Sequence, residues 1–238
     1  MPTRFLLLLL SAWLGLSSVA TAADFEHIIV SGGPALRQWE NYRRAGEQHD
    51  KWWGNFIATA TRRIRELKQT TPQVPITWLV YRDAYARRSG EDGKPYAQWI
   101  AEKQSTLGIK IVFFTSGDDV IRYINKGQNR WRTKISGFEY FGHSNKHCFM
   151  FDYSSDIYGV SSSWLHENDL RKISGSAFAS NALLKSWGCH TAESMSAVWK
   201  KVTGIWMIGA YGKTDYSDMH LRDFRPGLSS GSHWRTRG

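Results

Sequence analysis

Short apolar runs of strand length alternate with stretches of helical periodicity along almost the whole chain, and this alternation restricts the fold more than any other feature. His27-Ile28-Ile29-Val30 is the first run and leads into Ser31-Gly32-Gly33, where the backbone must bend tightly. Trp53, Phe56, Ile57, Ala60, Ile64 and Leu67 then recur at helical spacing and predict a long helix over about 46–68. Residues 76–81 form the next strand, Pro95 opens a helix carrying Tyr96, Trp99 and Ile100 that stops near Gly108, and 110–115 is a third, mostly apolar strand. Ser116 with Asp118 and Asp119 reads as a cap and acidic first turn for a helix through Ile124 that ends at Gly127.

Residues 126–134 are polar and basic and predict an exposed loop before a strand at 135–141. Residues 148–153 return as its hairpin partner, 164–173 read as helix, and 183–187 as the strand before Cys189. Thr191 is placed to cap a helix bearing Met195, Val198, Trp199 and Val202, closed by Gly204 and followed by a last clear strand at 205–208. From Arg222 onward the chain is rich in Gly, Ser and Arg and is expected to fray. Strands alternating with helices build a mainly parallel sheet through right-handed crossovers, so the expected class is α/β, a three-layer sandwich with helices on both faces.

The first 22 residues stand apart from this pattern. Arg4, an apolar stretch over 5–10 and 12–16, and Ala20-Thr21-Ala22 have the form of a secretory leader cleaved near Ala23. The expected product is exported, to a bacterial periplasm or beyond, and no later run of about 18 apolar residues suggests a transmembrane anchor once the leader is gone. Residues 23–238 suffice for one well-buried domain. The chain's net charge of +10 favours anionic partners in general, but the basic residues are scattered, as in Arg62-Arg63 and Arg87-Arg88, and no specific nucleic-acid partner is expected. Twelve tryptophans point to core and cleft packing.

His143 and Cys189 lie 46 residues apart, each just past an apolar run, Phe138-Glu139-Tyr140-Phe141-Gly142 and Leu183-Leu184-Lys185-Ser186-Trp187-Gly188. If both runs are parallel neighbours in one sheet, imidazole and thiol emerge together at its carboxyl edge, where open α/β sheets bind ligands. A thiol with a free pKa of about 8.5 needs a neighbouring base or a helix amino end to become a nucleophile near neutrality. Gly142 and Gly188 remove side-chain bulk where a substrate backbone would approach, and the amides at 188 and 189 are candidates to hold an oxyanion.

The chain resembles the caspase-like cysteine peptidases, and within them the legumain family, on three features. A strand ends in His143 and a later one in Cys189; Trp39-Glu40-Asn41-Tyr42-Arg43-Arg44 is similar to that family's Trp-x-Asn-Tyr-Arg-His segment; and Cys189-His190-Thr191-Ala192-Glu193-Ser194-Met195 is similar to its Cys-Glu-Ser-Gly-Ser-Met turn with one residue inserted. The resemblance implies a caspase-like fold and cleavage of peptide or protein substrates without a cofactor or metal. His143 would be the general base, Cys189 the nucleophile, Asn41 the support of the imidazole and Arg43 a wall of the specificity pocket. Ser144 stands where the clan has Gly, which bears on the oxyanion amide, and Trp187-Gly188 stands where legumains have Glu-Ala, so a preference for Asn does not transfer. Asp215, within 209–217, is the acid expected to line the pocket. By analogy with processing in such relatives, the 126–134 loop would cover the cleft or be cut at Arg130 or Lys134.

Two other readings use the same residues. His143, His147, Cys148, Cys189 and His190 together offer nitrogen and sulfur to zinc. A Cys148–Cys189 disulfide, natural after export, would make the chain a non-catalytic binding module of the same fold.

Overall fold

The computed structural model describes residues 24–45, 48–153 and 162–235. The expected leader at 1–22 lies outside the described residues. In chain order the elements are β1 (Phe25–Ser31), α1 (Arg37–Glu40), α2 (Asn55–Thr70), β2 (Ile76–Tyr81), α3 (Arg82–Asp92), α4 (Tyr96–Leu107), β3 (Lys110–Phe114), α5 (Gly117–Lys126), β4 (Lys134–Phe141), β5 (His143–Ser144), β6 (Cys148–Asp152), β7 (Ser163–His166), β8 (Phe178–Ser186), α6 (Met195–Thr203), β9 (Met207–Tyr211), β10 (Thr214–Asp215), β11 (Gly227–Leu228) and β12 (His233–Arg235).

Seven strands form the central sheet in the order β12-β9-β8-β4-β1-β2-β3. All neighbours are parallel except β12, which pairs antiparallel with β9. Successive strand residues point to opposite faces, so Ile28 and Val30 of β1 pack on one side and Ile29 on the other. The first side is covered by Val120, Ile121 and Ile124 of α5 and by Met195 and Trp199 of α6. The second is covered by Phe56, Ala60 and Ile64 of α2 and by Ile100 and Leu107 of α4. The molecule is therefore an α/β three-layer sandwich. Trp78 and Trp199 are fully buried on opposite faces, and burial of such a side chain contributes roughly 2–3 kcal/mol.

The chain lays down β1, β2 and β3 outward in one direction and then returns to place β4 on the other side of β1. Crossovers diverge from this point, and it is at the carboxyl ends of the strands that open α/β sheets bind ligands. Gly32-Gly33 leaves β1 there. A Cβ on Gly33 would fall 2.0 Å from Ala84 Cβ, so only glycine lets α3 pack this close.

Several expectations need correction. The long helix begins at Asn55; residues 49–51 form a 3-10 turn, and 46 and 47 lie outside the described residues. The segment 164–173 is not one helix: 163–166 is a strand, in which Leu165 pairs with Phe149, and a 3-10 turn spans 167–172. Of the apolar residues in this segment Leu165, Leu170 and Ile173 are buried and Trp164 is exposed. Thr191 caps nothing, because α6 begins at Met195 with Ser194 before it. The last parallel strand runs over Met207–Tyr211. Beyond Arg222 the described residues, up to 235, include β11, which pairs with β10, and β12, which pairs with β9 at the edge of the sheet. The helix α3 carries no apolar stripe in the sequence because one of its three inward residues, Ala84, Tyr85 and Arg88, is an arginine. The 126–134 loop does not cover the carboxyl edge of the sheet: Arg130 is 8% exposed and bonded to Glu26 and to the Tyr123 and Ile124 carbonyls at the amino end of the sheet, and Lys134 opens β4.

Candidate active site

His143 begins β5, separated by Gly142 from the end of β4 at Phe141, and its ring is packed edge-on against Phe56 with centroids 5.2 Å apart. Its Nε2 lies 2.6 Å from Asp50 Oδ2. Asp50 arrives from the 3-10 turn between α1 and α2 and is completely buried. Its carboxylate also accepts hydrogen bonds from the Ala35 N–H at 2.7 Å and from Asn55 Nδ2 at 2.6 Å, and faces His49 Nδ1 at 2.8 Å. Its backbone is pinned as well. The Asp50 N–H donates to Glu40 Oε2 at 2.9 Å, and Arg88 Nη1 donates to the Asp50 carbonyl at 2.7 Å and to the Ala35 carbonyl at 2.9 Å. A buried carboxylate survives as an anion only with this many donors.

The electrostatics come from this arrangement. Burial works against the Asp50 charge, but the two imidazoles of His143 and His49 and their hydrogen bonds prevail and hold its carboxyl well below the ordinary range. Burial pushes the His143 imidazole down from its ordinary value despite the opposing pull of Asp50. A neutral His143 that donates Nε2–H to Asp50 keeps a lone pair on Nδ1, so the carboxylate fixes both tautomer and ring orientation.

Cys189 lies just past β8 and is half-buried, with Sγ 3.3 Å from Thr214 Oγ1 and 3.8 Å from the Thr214 carbonyl. His143 and Cys189 open onto one cavity of about 330 Å³, with Arg43, His49, Tyr153 and Asp215 also on its wall. The turn bearing the histidine is tied to the turn bearing the cysteine: Ser144 Oγ donates to the Cys189 carbonyl at 2.7 Å. A Cβ at Gly188 would lie 2.1 Å from Ser144 Oγ, so the two turns can approach this closely only because residue 188 is glycine.

The remaining sequence candidates divide. Arg43 stands on the cavity wall, its guanidinium 4.7 Å from the Tyr153 ring centre and its Nε 3.2 Å from Glu40 Oε1. Asp215 lines the same wall, with its carboxylate accepting from the Ser217 N–H at 2.8 Å and from Arg222 Nη1 at 3.0 Å. Burial opposes this charge, but those partners hold the carboxyl below its ordinary range. Asn41 is exposed at the end of α1 and is not the partner of the imidazole; Asp50, nine residues further on, takes that place. The Gly188 N–H donates to Ser186 Oγ at 3.2 Å, and the His190 and Ala192 amides go to the Gly212 and Ala210 carbonyls. Neither Gly188 nor the Ser144 hydroxyl therefore points a spare donor at the cavity.

Cys148 and Cys189 are both free thiols, and burial with Glu167 and Asp169 nearby pushes Cys148 up to about 11. Among the described residues no three His, Cys, Asp or Glu side chains converge as a metal requires. His147 pairs instead with Glu167 at 2.8 Å and His190 with Glu193 at 2.6 Å.

Sequence reasoning missed Asp50, His49 and Arg88. The one available signal for the first two was a His-Asp pair directly ahead of the apolar-periodic run that becomes α2, which reads equally well as helix-start chemistry.

No protein-family model matches the sequence, and no curated protein does. Among solved structures, the prephenate dehydrogenase from A. aeolicus, in complex with hydroxyphenyl propionate and NAD+, aligns at 10% identity with a TM-score of 0.30, covering 78% of this chain and 41% of that one. A likeness this slight assigns neither fold family nor activity. Among the described residues no helix is long and apolar enough to cross a membrane.

Proposed function

We propose that the chain is an exported cysteine peptidase of caspase-like type, cleaving peptide or protein substrates through an acyl-enzyme on Cys189. The observation that supports it is one cavity shared by Cys189 and His143, whose imidazole is oriented from behind by the buried Asp50. In this reading His143 Nδ1 removes the Cys189 thiol proton as sulfur attacks the substrate carbonyl carbon. The same nitrogen returns that proton to the leaving amine, and water then releases the acid product by the reverse sequence. Asp50 is a positioning residue that steadies the imidazole through both proton transfers. Arg43 and Asp215 stand on the wall beside the nucleophile, where they bear on substrate choice.

One observation favours a second reading, a non-catalytic binding module: the amides at 188, 190 and 192 are all engaged within the chain, so three of the backbone donors around the thiol are already taken. The two readings separate by intact-mass labelling of the protein with iodoacetamide at graded pH, without reductant, together with a peptide-library digest. The peptidase reading expects a label on Cys189 that slows at least tenfold in His143→Ala, and library cleavage that Cys189→Ala abolishes. Labelling indifferent to His143, with no cleavage, would replace it by the binding module.

A further inference from the structure

Two imidazoles share the single carboxylate behind the cavity. His143 Nε2 meets Asp50 Oδ2 at 2.6 Å and His49 Nδ1 meets Asp50 Oδ1 at 2.8 Å, while the two ring centres lie 5.4 Å apart. Both rings line the same cavity as Cys189. At that separation a proton on one ring opposes a proton on the other, so one buried carboxylate stabilises one cationic ring and not two.

We propose that His49 is a charge-holding positioning residue of this site: it takes the positive charge that Asp50 supports, and thereby keeps His143 neutral as a base. Geometry decides which ring is charged. His49 directly precedes Asp50, whose N–H donates to a second buried carboxyl group, that of Glu40 at the end of α1; burial and Asp50 raise the Glu40 carboxyl while Arg43, 3.2 Å away, and His49 lower it, and its charge favours a cationic His49. His143 is enclosed by Phe56 of α2 at 5.2 Å and Tyr153 at 5.1 Å, and among the described residues pairs with one carboxylate, Asp50. The groups around His49 are Asp50 on its own turn, Glu40 and Arg43 from the α1 side, Asn55 and Phe56 of α2, His143 of β5 and Tyr216 beyond β10. Tyr85 and Arg88 of α3 act on Asp50 from behind, and Cys189, Lys213 and Asp215 face the ring across the cavity. The balance of these groups agrees with the assignment: burial works against a charged His49, but Asp50 and Glu40 carry it above its ordinary value, whereas His143 falls below its own.

The chemical consequence rests on the cysteine reading above. A neutral His143 makes the pair a thiol with a waiting base, in which the proton leaves sulfur only as the carbonyl is attacked. A cationic His143 would instead pair with a standing thiolate, reactive well below neutral pH. His49 thus sets which of the two forms the cavity holds.

The test is imidazole titration by long-range 1H–15N NMR on the whole protein, comparing wild type with His49→Gln and His49→Phe, alongside the pH profile of Cys189 alkylation. Wild type should show His49 titrating above His143. Both variants should raise the His143 midpoint by about one to two units, the shift expected for losing a like charge at this distance. Alkylation at pH 6 should rise about tenfold in the variants as a standing thiolate appears. Gln keeps a donor towards Asp50 and Phe does not, so a shift common to both reports charge and not fold. A wild-type order reversed between the two rings, or a His143 midpoint unmoved in both variants, would overturn the proposal. If the midpoint rises while alkylation ignores both His49 and His143, the shared charge stands and the cysteine reading is what fails.

Discussion

Glu139 offers a stability measurement whose size can be worked from its surroundings. It sits on β4 with no exposed surface, and its Oε1 accepts from Arg63 Nε at 2.8 Å while His27 Nε2 lies 3.2 Å away. Its Oε2 accepts from Trp187 Nε1 at 2.9 Å. Burial alone would raise this carboxyl, but His27, Arg63 and the indole donor overcome burial and lower it from 4.5 to about 2. A shift of that size corresponds to about 3 kcal/mol of stability from ionisation at neutral pH.

The sign comes from the direction of the shift. The folded pKa is depressed, so the contribution is complete above the unfolded value near 4.5 and drains away as pH falls towards 2. Linkage leaves roughly 1 kcal/mol of it at pH 3. Glu139→Gln removes the charge and turns one acceptor into a donor facing either Arg63 or Trp187. Urea unfolding at pH 7 should show the variant about 3 kcal/mol less stable, with the gap to wild type shrinking by about 2 kcal/mol at pH 3. A gap that is the same at both pH values would refute the reasoning, because a loss independent of pH is a packing loss and not the loss of a stabilised carboxylate.

Two further outcomes test the frame around the cavity. Gly188→Ala puts a methyl 2.1 Å from Ser144 Oγ and 3.0 Å from the Gly142 carbonyl, so it should cost about 2 kcal/mol in chemical denaturation, and Ser144→Gly in the same chain should restore part of the loss. A chain ending at Arg225 loses β11 and β12, which pair with β10 and β9; it should melt several degrees lower and associate through the bared β9 edge, as seen by light scattering.

The central parallel strands β1 and β2 are legible in the sequence because they are covered on both faces and so read as almost unbroken apolar runs, as in Ile76–Tyr81, buried at every position. The same logic explains the failures. The β12 residues His233, Trp234 and Arg235 belong to an antiparallel edge strand with one side open, and their polar character resembles a frayed tail. Trp234 is nonetheless held in place: its ring meets Trp187 at 5.4 Å, and Lys185 Nζ stands 4.5 Å over it. The α3 helix is hidden because Arg88 closes its buried stripe of Ala84, Tyr85 and Arg88, where an apolar residue would have revealed it. Arg88 is there to serve backbone carbonyls at 35, 50 and 51, and a helix face selected for hydrogen bonding has no hydrophobic period to detect.

The positions of His143 and Cys189 can be inferred from sequence because a parallel sheet delivers every strand end to one edge, so locating the strands also locates the residues just past their ends. The group behind the imidazole obeys no such rule. Local similarity favours Asn41, yet the residue that reaches His143 is Asp50, and its suitability depends on donors at positions 35, 55 and 143 and on Arg88 bracing its carbonyl. None of these is its neighbour in the chain. A carboxylate can be buried at the back of a cavity only where the fold has already gathered donors for it, since an unpaired buried charge costs several kcal/mol. The identity of that third residue is therefore a property of tertiary structure, and in a loop without periodicity the three-dimensional hydrogen-bond inventory is what distinguishes Asp50 from any other acid in the chain.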